Sequence, residues 1–118
     1  MKKFILLLPL VLLSSCNQQN STTPGSDNYR FGQKQYENKS VSVEIVTYYS
    51  RAELKRESRK YGVTSDTVVA FTLLSKSDQT KCTIHMMDPY NAYEPEFVGH
   101  EFLHCVYGQW HTNNESRK

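Results

Sequence analysis

Apolar and polar positions alternate from Val41 to Ile45, with Ser42 and Glu44 between Val41, Val43 and Ile45, before the run turns apolar and aromatic through Tyr49. A period of two is the signature of a half-buried strand, so Val41–Tyr49 is expected as the first strand. The pattern then changes. Ser50 and Glu53 form a capping box, and Gly62 sits where a helix stop falls. Between them Arg51–Tyr61 reads as a charged helix with a thin apolar stripe of Ala52, Leu54 and Tyr61. Glutamates interleave with its basic residues, which marks a solvated face rather than a binding patch. Thr67–Leu74 is nearly continuous Val, Ala, Phe and Leu, suiting a strand covered on both faces. After a polar turn at Ser75–Thr80, Lys81–Met87 alternates again. Cys82, Ile84 and Met86 share one strand face, and Thr83, His85 and Met87 share the other.

The last periodic segment is helical. Pro95 suits a first helical turn, where its missing N–H costs nothing, and Gly108 suits a C-terminal stop. At about 100° per residue, Val98, Phe102, Cys105 and Val106 fall on one broad apolar face. His100, Glu101 and His104 project away from the centre of that face, leaving one side to pack and the other to line a cleft. The elements together predict one small α+β domain over residues 40–118. A short sheet of about three strands packs on the C-terminal helix, with one further helix. A core this small is marginal alone, and a disulfide or a metal is the usual supplement.

That helix carries the chemistry. His100-Glu101-Phe102-Leu103-His104 places two imidazoles four residues apart. On a helix such residues lie one above the other, roughly 5–6 Å apart at Cβ. Both can then reach a single Zn²⁺ with bonds of about 2.0–2.1 Å. Glu101 is placed to act as base towards a metal-bound water. A catalytic zinc keeps three protein ligands and one open position, and the helix supplies two. Of the 4 histidines, His85 and His111 remain as nitrogen candidates. His85 lies on the strand face opposite Cys82, whereas His111 follows a glycine turn that can bring it back beneath His104. His111 is therefore the expected third ligand.

The first residues speak to location. Met1-Lys2-Lys3 is a short positive region, followed by an apolar run from Phe4 to Leu13 that is too short to span a membrane. It ends in Leu13-Ser14-Ser15-Cys16, which resembles the lipobox of bacterial lipoproteins. That resemblance implies removal of residues 1–15, lipidation of Cys16, and anchoring in the bacterial cell envelope, facing the periplasm or exterior. Polar residues 17–39 read as a flexible tether that holds the domain off the membrane.

Charge and cysteine usage refine this. Loss of Lys2 and Lys3 leaves 14 − 2 = 12 basic residues against 12 acidic ones, so the mature chain is neutral and lacks the electrostatic footprint of a nucleic-acid binder. With Cys16 taken by lipid, Cys82 and Cys105 remain, and an exported compartment permits their disulfide. Both are expected to point into the same core. The alternative is that Cys105 is a free thiol or a metal ligand, and its place on the apolar face argues against ligation.

His100-Glu101-x-x-His104 on a helix preceded by two strands and a helix resembles the catalytic core of the zincin metallopeptidases. Gly108 and His111 resemble the metzincin extension, each standing one residue later than in that group. The resemblance implies zinc bound by His100 and His104, with Glu101 as general base in peptide-bond hydrolysis. It also implies Lys81–Met87 as a substrate-facing edge strand. The partner would be a peptide or protein substrate in the envelope, and the chain is expected to be a monomer. A competing reading is a non-catalytic envelope lipoprotein, with a structural zinc or no metal, that acts by binding a partner.

Overall fold

The computed structural model describes residues 23–111. The expected signal segment and the expected lipidation site at Cys16 lie outside the described residues. Among those described, no helix is long and apolar enough to cross a membrane. The elements run β1 (Ser42–Tyr48), α1 (Arg51–Lys60), β2 (Ala70–Leu74), β3 (Lys81–Met87) and α2 (Pro95–Tyr107). This is the α+β arrangement of three strands and two helices that the alternation predicts.

The strand order is β1-β3-β2, with β1 parallel to β3 and β2 antiparallel to it. Lys81–Met87 is therefore the central strand and not an edge. Its Thr83/His85/Met87 face looks half-polar in sequence, yet His85 and Met87 are both buried. His85 is stacked on Phe71 at 4.3 Å between ring centroids, and its Nδ1 is 2.7 Å from the Tyr48 hydroxyl. Burial holds the His85 pKa below its ordinary value.

The two faces of the sheet carry separate cores. Leu54 of α1 packs with Val68, Phe71 and Met87 on one face. On the other, Cys82 and Ile84 pack with Cys105 of α2. The odd–even alternation of β3 divides its side chains between these cores as a period of two requires. Ser50 caps α1 as expected, its Oγ accepting the Glu53 N–H at 3.2 Å. The strand expected from Thr67 starts only at Ala70; residues 67–69 instead help line a cavity described below.

The Cys82 and Cys105 sulfurs are bonded at 2.06 Å across a sequence separation of 23. In the chain-entropy account a loop of that size contributes roughly 3 kcal/mol. The bond joins the central strand to the residue after His104, which fixes the second half of α2 against the sheet.

Two expectations are corrected here. The face of α2 turned inward is only partly the apolar one, since it joins Cys105 to polar side chains. His100, Glu101, His104 and Cys105 are buried, while Phe102 is exposed. Ionisable side chains can occupy the interior because each finds a polar partner there, and Phe102 is left on the outer face. Nor does the polar stretch before β1 behave as a free tether throughout. From Gly25 to Asn38 it lies as a strap along α2. The N–H groups of Gly32 and Gln33 donate to Trp110 O at 2.9 and 3.0 Å, that of Gln35 donates to Tyr107 O at 3.0 Å, and that of Asn38 donates to Val106 O at 2.9 Å. Asn38 Nδ2 also donates to Cys105 O at 3.1 Å. The carbonyls of a last helical turn have no partner within the helix, and here the strap supplies the donors. Gly108 is needed at the crossing. It has a φ of +71°, and a Cβ on it would collide with the Gln35 side chain and the Tyr36 ring.

Candidate metal centre

The three histidines singled out in the sequence converge. Their ligand nitrogens lie within 4.8 Å of one another, and they are the group among the described residues able to hold a metal ion. His111 Nε2 is 3.1 Å from His104 Nε2 and 3.0 Å from His100 Nε2. Three nitrogens bound tetrahedrally at Zn–N distances of about 2.0–2.1 Å would stand about 3.3 Å apart. The two distances made by His111 are close to that spacing, while the set as a whole spreads to 4.8 Å.

Tautomers decide what these nitrogens offer. His104 Nδ1 is 2.8 Å from Gly108 O, a carbonyl that can only accept, so Nδ1 carries the proton and Nε2 a lone pair. His100 Nδ1 is 2.7 Å from Asp27 Oδ2, which places its proton in the same way. Two bare Nε2 atoms therefore face the interior beside His111. Each can accept from a His111 Nε2–H or ligate a cation, and the donor set suits zinc chemistry. The residues present thus fit a metal ion. His100 and His104 come from successive turns of α2, and His111 arrives through the Gly108 turn.

Aromatic rings wall the triad. Trp110 is buried with its ring centroid 4.8, 5.6 and 4.6 Å from those of His100, His104 and His111. Tyr29 of the strap stands 4.5 Å from both His100 and His111, and Phe31 stacks on Trp110 at 5.5 Å. Tyr107 and His85 pack elsewhere. Tyr107 packs edge-on to Phe31 at 5.2 Å, and His85 lies in the opposite core.

Glu101 is buried beside the triad. Thr72 Oγ1 of β2 lies 2.7 Å from its Oε2 and 3.1 Å from its backbone carbonyl. Burial pushes its pKa up, with the Thr72 hydrogen bond opposing. Glu101 and His100 both line a cavity of about 400 Å³, together with Asp27, Tyr29, Thr67, Val68 and Phe97. A carboxylate whose pKa burial raises and a candidate ligand therefore share one cavity of mixed polar and apolar lining.

Burial also pushes the His104 imidazole down to about 4. In metal-free protein the unfolded chain takes up this proton near pH 6.5, while the native state resists it until about pH 4. The unfolded state thus binds more protons across that window, and stability falls as the pH is lowered through it. The loss is about 3 kcal/mol, and above pH 6.5 the full stability is present. Glu101, with its pKa shifted upwards, runs the other way. Urea midpoints in chelator at pH 7 and pH 4.5 check this against a His104→Gln variant. The variant is expected to show the flatter pH dependence, and equal slopes would refute the account.

No protein-family model, curated protein or solved structure matches this chain. The residues that sequence reasoning missed are Asp27, Tyr29 and Thr72. Asp27 and Tyr29 left one trace, an Asp-Asn turn signal followed by Tyr29 and Phe31 in an otherwise polar stretch. Thr72 left none, because a lone threonine in a strand is ordinary.

Proposed function

We propose that the protein is a zinc metallopeptidase, anchored through Cys16 in the bacterial cell envelope, with His100, His104 and His111 as ligands and Glu101 as general base. The observation that carries this reading is the convergence of three imidazoles, one of which, His100, shares a cavity with buried Glu101. A bound zinc supplies Lewis acidity, polarising a carbonyl and making a water acidic near neutral pH. The chain's own residues do the rest. Asp27 and Gly108 O hold His100 and His104 with Nε2 free, and Thr72 aims the Glu101 carboxylate. Glu101, made more basic by burial, takes a proton from the attacking water and returns it to the leaving amine. β2, paired on one side with β3 and contacting α2 through Thr72 and Glu101, replaces Lys81–Met87 as the strand that faces substrate.

Strap docking affects where such a substrate can be. With the chain fixed from Gly25 onward, residues 17–24 alone separate Cys16 from the domain, a reach of at most about 29 Å. That favours peptide segments close to the bilayer surface.

The test is to purify the full-length chain, measure bound metal, and assay hydrolysis of a mixed set of quenched peptides. One zinc per chain is expected, with cleavage abolished by chelator and restored by zinc. A second reading is a structural zinc in a binding protein, favoured by the burial of His100 and His104 at 8% and 9% exposure. Zinc at full occupancy, with a fourth protein ligand in its absorption spectrum and no hydrolysis, would establish that reading instead.

A further inference from the structure

We infer that Asp27, brought from the segment before the first strand, is a positioning residue of the metal centre that sets the tautomer of His100. This rests on the metal reading above and goes beyond it, since the motif on α2 and its trailing histidine say nothing of a residue 73 positions upstream.

The geometry of Asp27 is fixed from several sides. Its Oδ1 accepts the Tyr29 N–H at 3.0 Å, closing a tight turn over Asp27-Asn28-Tyr29. The Gly25 N–H donates to Tyr29 O at 2.8 Å and the Asn28 N–H to Gly25 O at 2.9 Å, with Asn28 at a φ of +68°. The other oxygen, Oδ2, is thereby aimed at His100 Nδ1, 2.7 Å away, with side-chain exposures of 11% and 7% for the pair. Beyond the turn, Phe31 stacks on Trp110, and Gly32 and Gln33 bind the Trp110 carbonyl. The turn is therefore held on its C-terminal side against the chain that delivers His111.

A carboxylate at this point does what a packing residue cannot. It accepts only, so it keeps the proton on Nδ1 and the lone pair on Nε2, the atom that faces the other two imidazoles. It also fixes the ring plane. Asparagine in its place can still accept from Tyr29 through Oδ1, but then presents an N–H₂ donor to His100. The ring must reverse its tautomer, putting a proton on Nε2 where the metal has to bind.

The experiment uses the full-length protein as parent, Asp27→Asn and Asp27→Glu. Side-chain ¹⁵N spectra of the metal-free forms report the tautomer of His100, and zinc affinity is measured by competition with a chromophoric chelator. The parent is expected to carry the proton on Nδ1, and Asp27→Asn on Nε2. Zinc binding should weaken by about 10–100-fold in Asp27→Asn, with partial recovery in Asp27→Glu. Amide protection at Gln33, Gln35 and Asn38 should persist in both variants, showing the strap still docked. An Asp27→Asn variant with the parent's tautomer and affinity overturns the assignment. So does an affinity loss that tracks loss of strap protection, which would make Asp27 a structural residue. A parent that takes up no zinc overturns the metal reading as well, and is told apart because no variant is then needed to see it.

Discussion

Replacing Glu101 by glutamine is expected to leave zinc uptake within a few-fold of the parent and to lower peptide hydrolysis by about 10²–10⁴-fold. The substitution is nearly isosteric, and the amide oxygen can still accept from Thr72, whose hydroxyl lies 2.7 Å from Oε2. The helix, the histidine tautomers and the cavity are therefore preserved. What disappears is a basic lone pair. Burial makes that lone pair more proton-hungry than an exposed carboxylate, and basicity drives proton abstraction from water near neutral pH. Zinc affinity and turnover thus separate cleanly. Loss of metal in Glu101→Gln would make Glu101 a ligand, and unchanged hydrolysis would place the base elsewhere.

The same helix shows how far the sequence could be read. Pro95, the His-Glu-x-x-His spacing and Gly108 locate α2 to the residue, because start, chemistry and stop are each carried by residue types with narrow conformational uses. Alternation along Lys81–Met87 assigned its side chains to the correct faces, since a strand has only two. The inward face of α2 was illegible for the opposite reason. Periodicity counts apolar residues, whereas this helix buries His100, Glu101 and His104, paired with Asp27, Thr72 and Gly108 O. Asp27 and Thr72 come from distant points of the chain, so nothing within the helix signals them. The strap escaped notice likewise: its contacts are largely backbone bonds to the last turn of α2 and the turn beyond it, and backbone donors are the same in every residue but proline. The central position of β3 also depends on pairing across a connection containing α1 and β2, which the composition of one strand cannot reveal.

His111→Ala is expected to weaken zinc binding by orders of magnitude, while His85→Ala leaves it nearly unchanged. The sequence favours His111 over His85, and the fold places the two in different cores. His111 Nε2 is 3.1 and 3.0 Å from the Nε2 atoms of His104 and His100, so its removal leaves a two-nitrogen site. Two imidazoles plus water hold zinc far less well than three, because each lost ligand must be replaced by a solvent molecule that gains nothing from preorganisation. The turn that carries His111 is fixed by Gln35 Oε1, which accepts the Gln109 N–H at 3.0 Å, so alanine there removes a ligand without freeing the chain. His85 is held in the other core by Tyr48 and Phe71. Its loss leaves a cavity and an unpaired Tyr48 hydroxyl, lowering stability by about 1–3 kcal/mol with little consequence for the metal. Zinc competition titrations and urea midpoints on both variants give the comparison. A His85→Ala protein that loses zinc while His111→Ala retains it would show the centre to be built on the other face of the sheet.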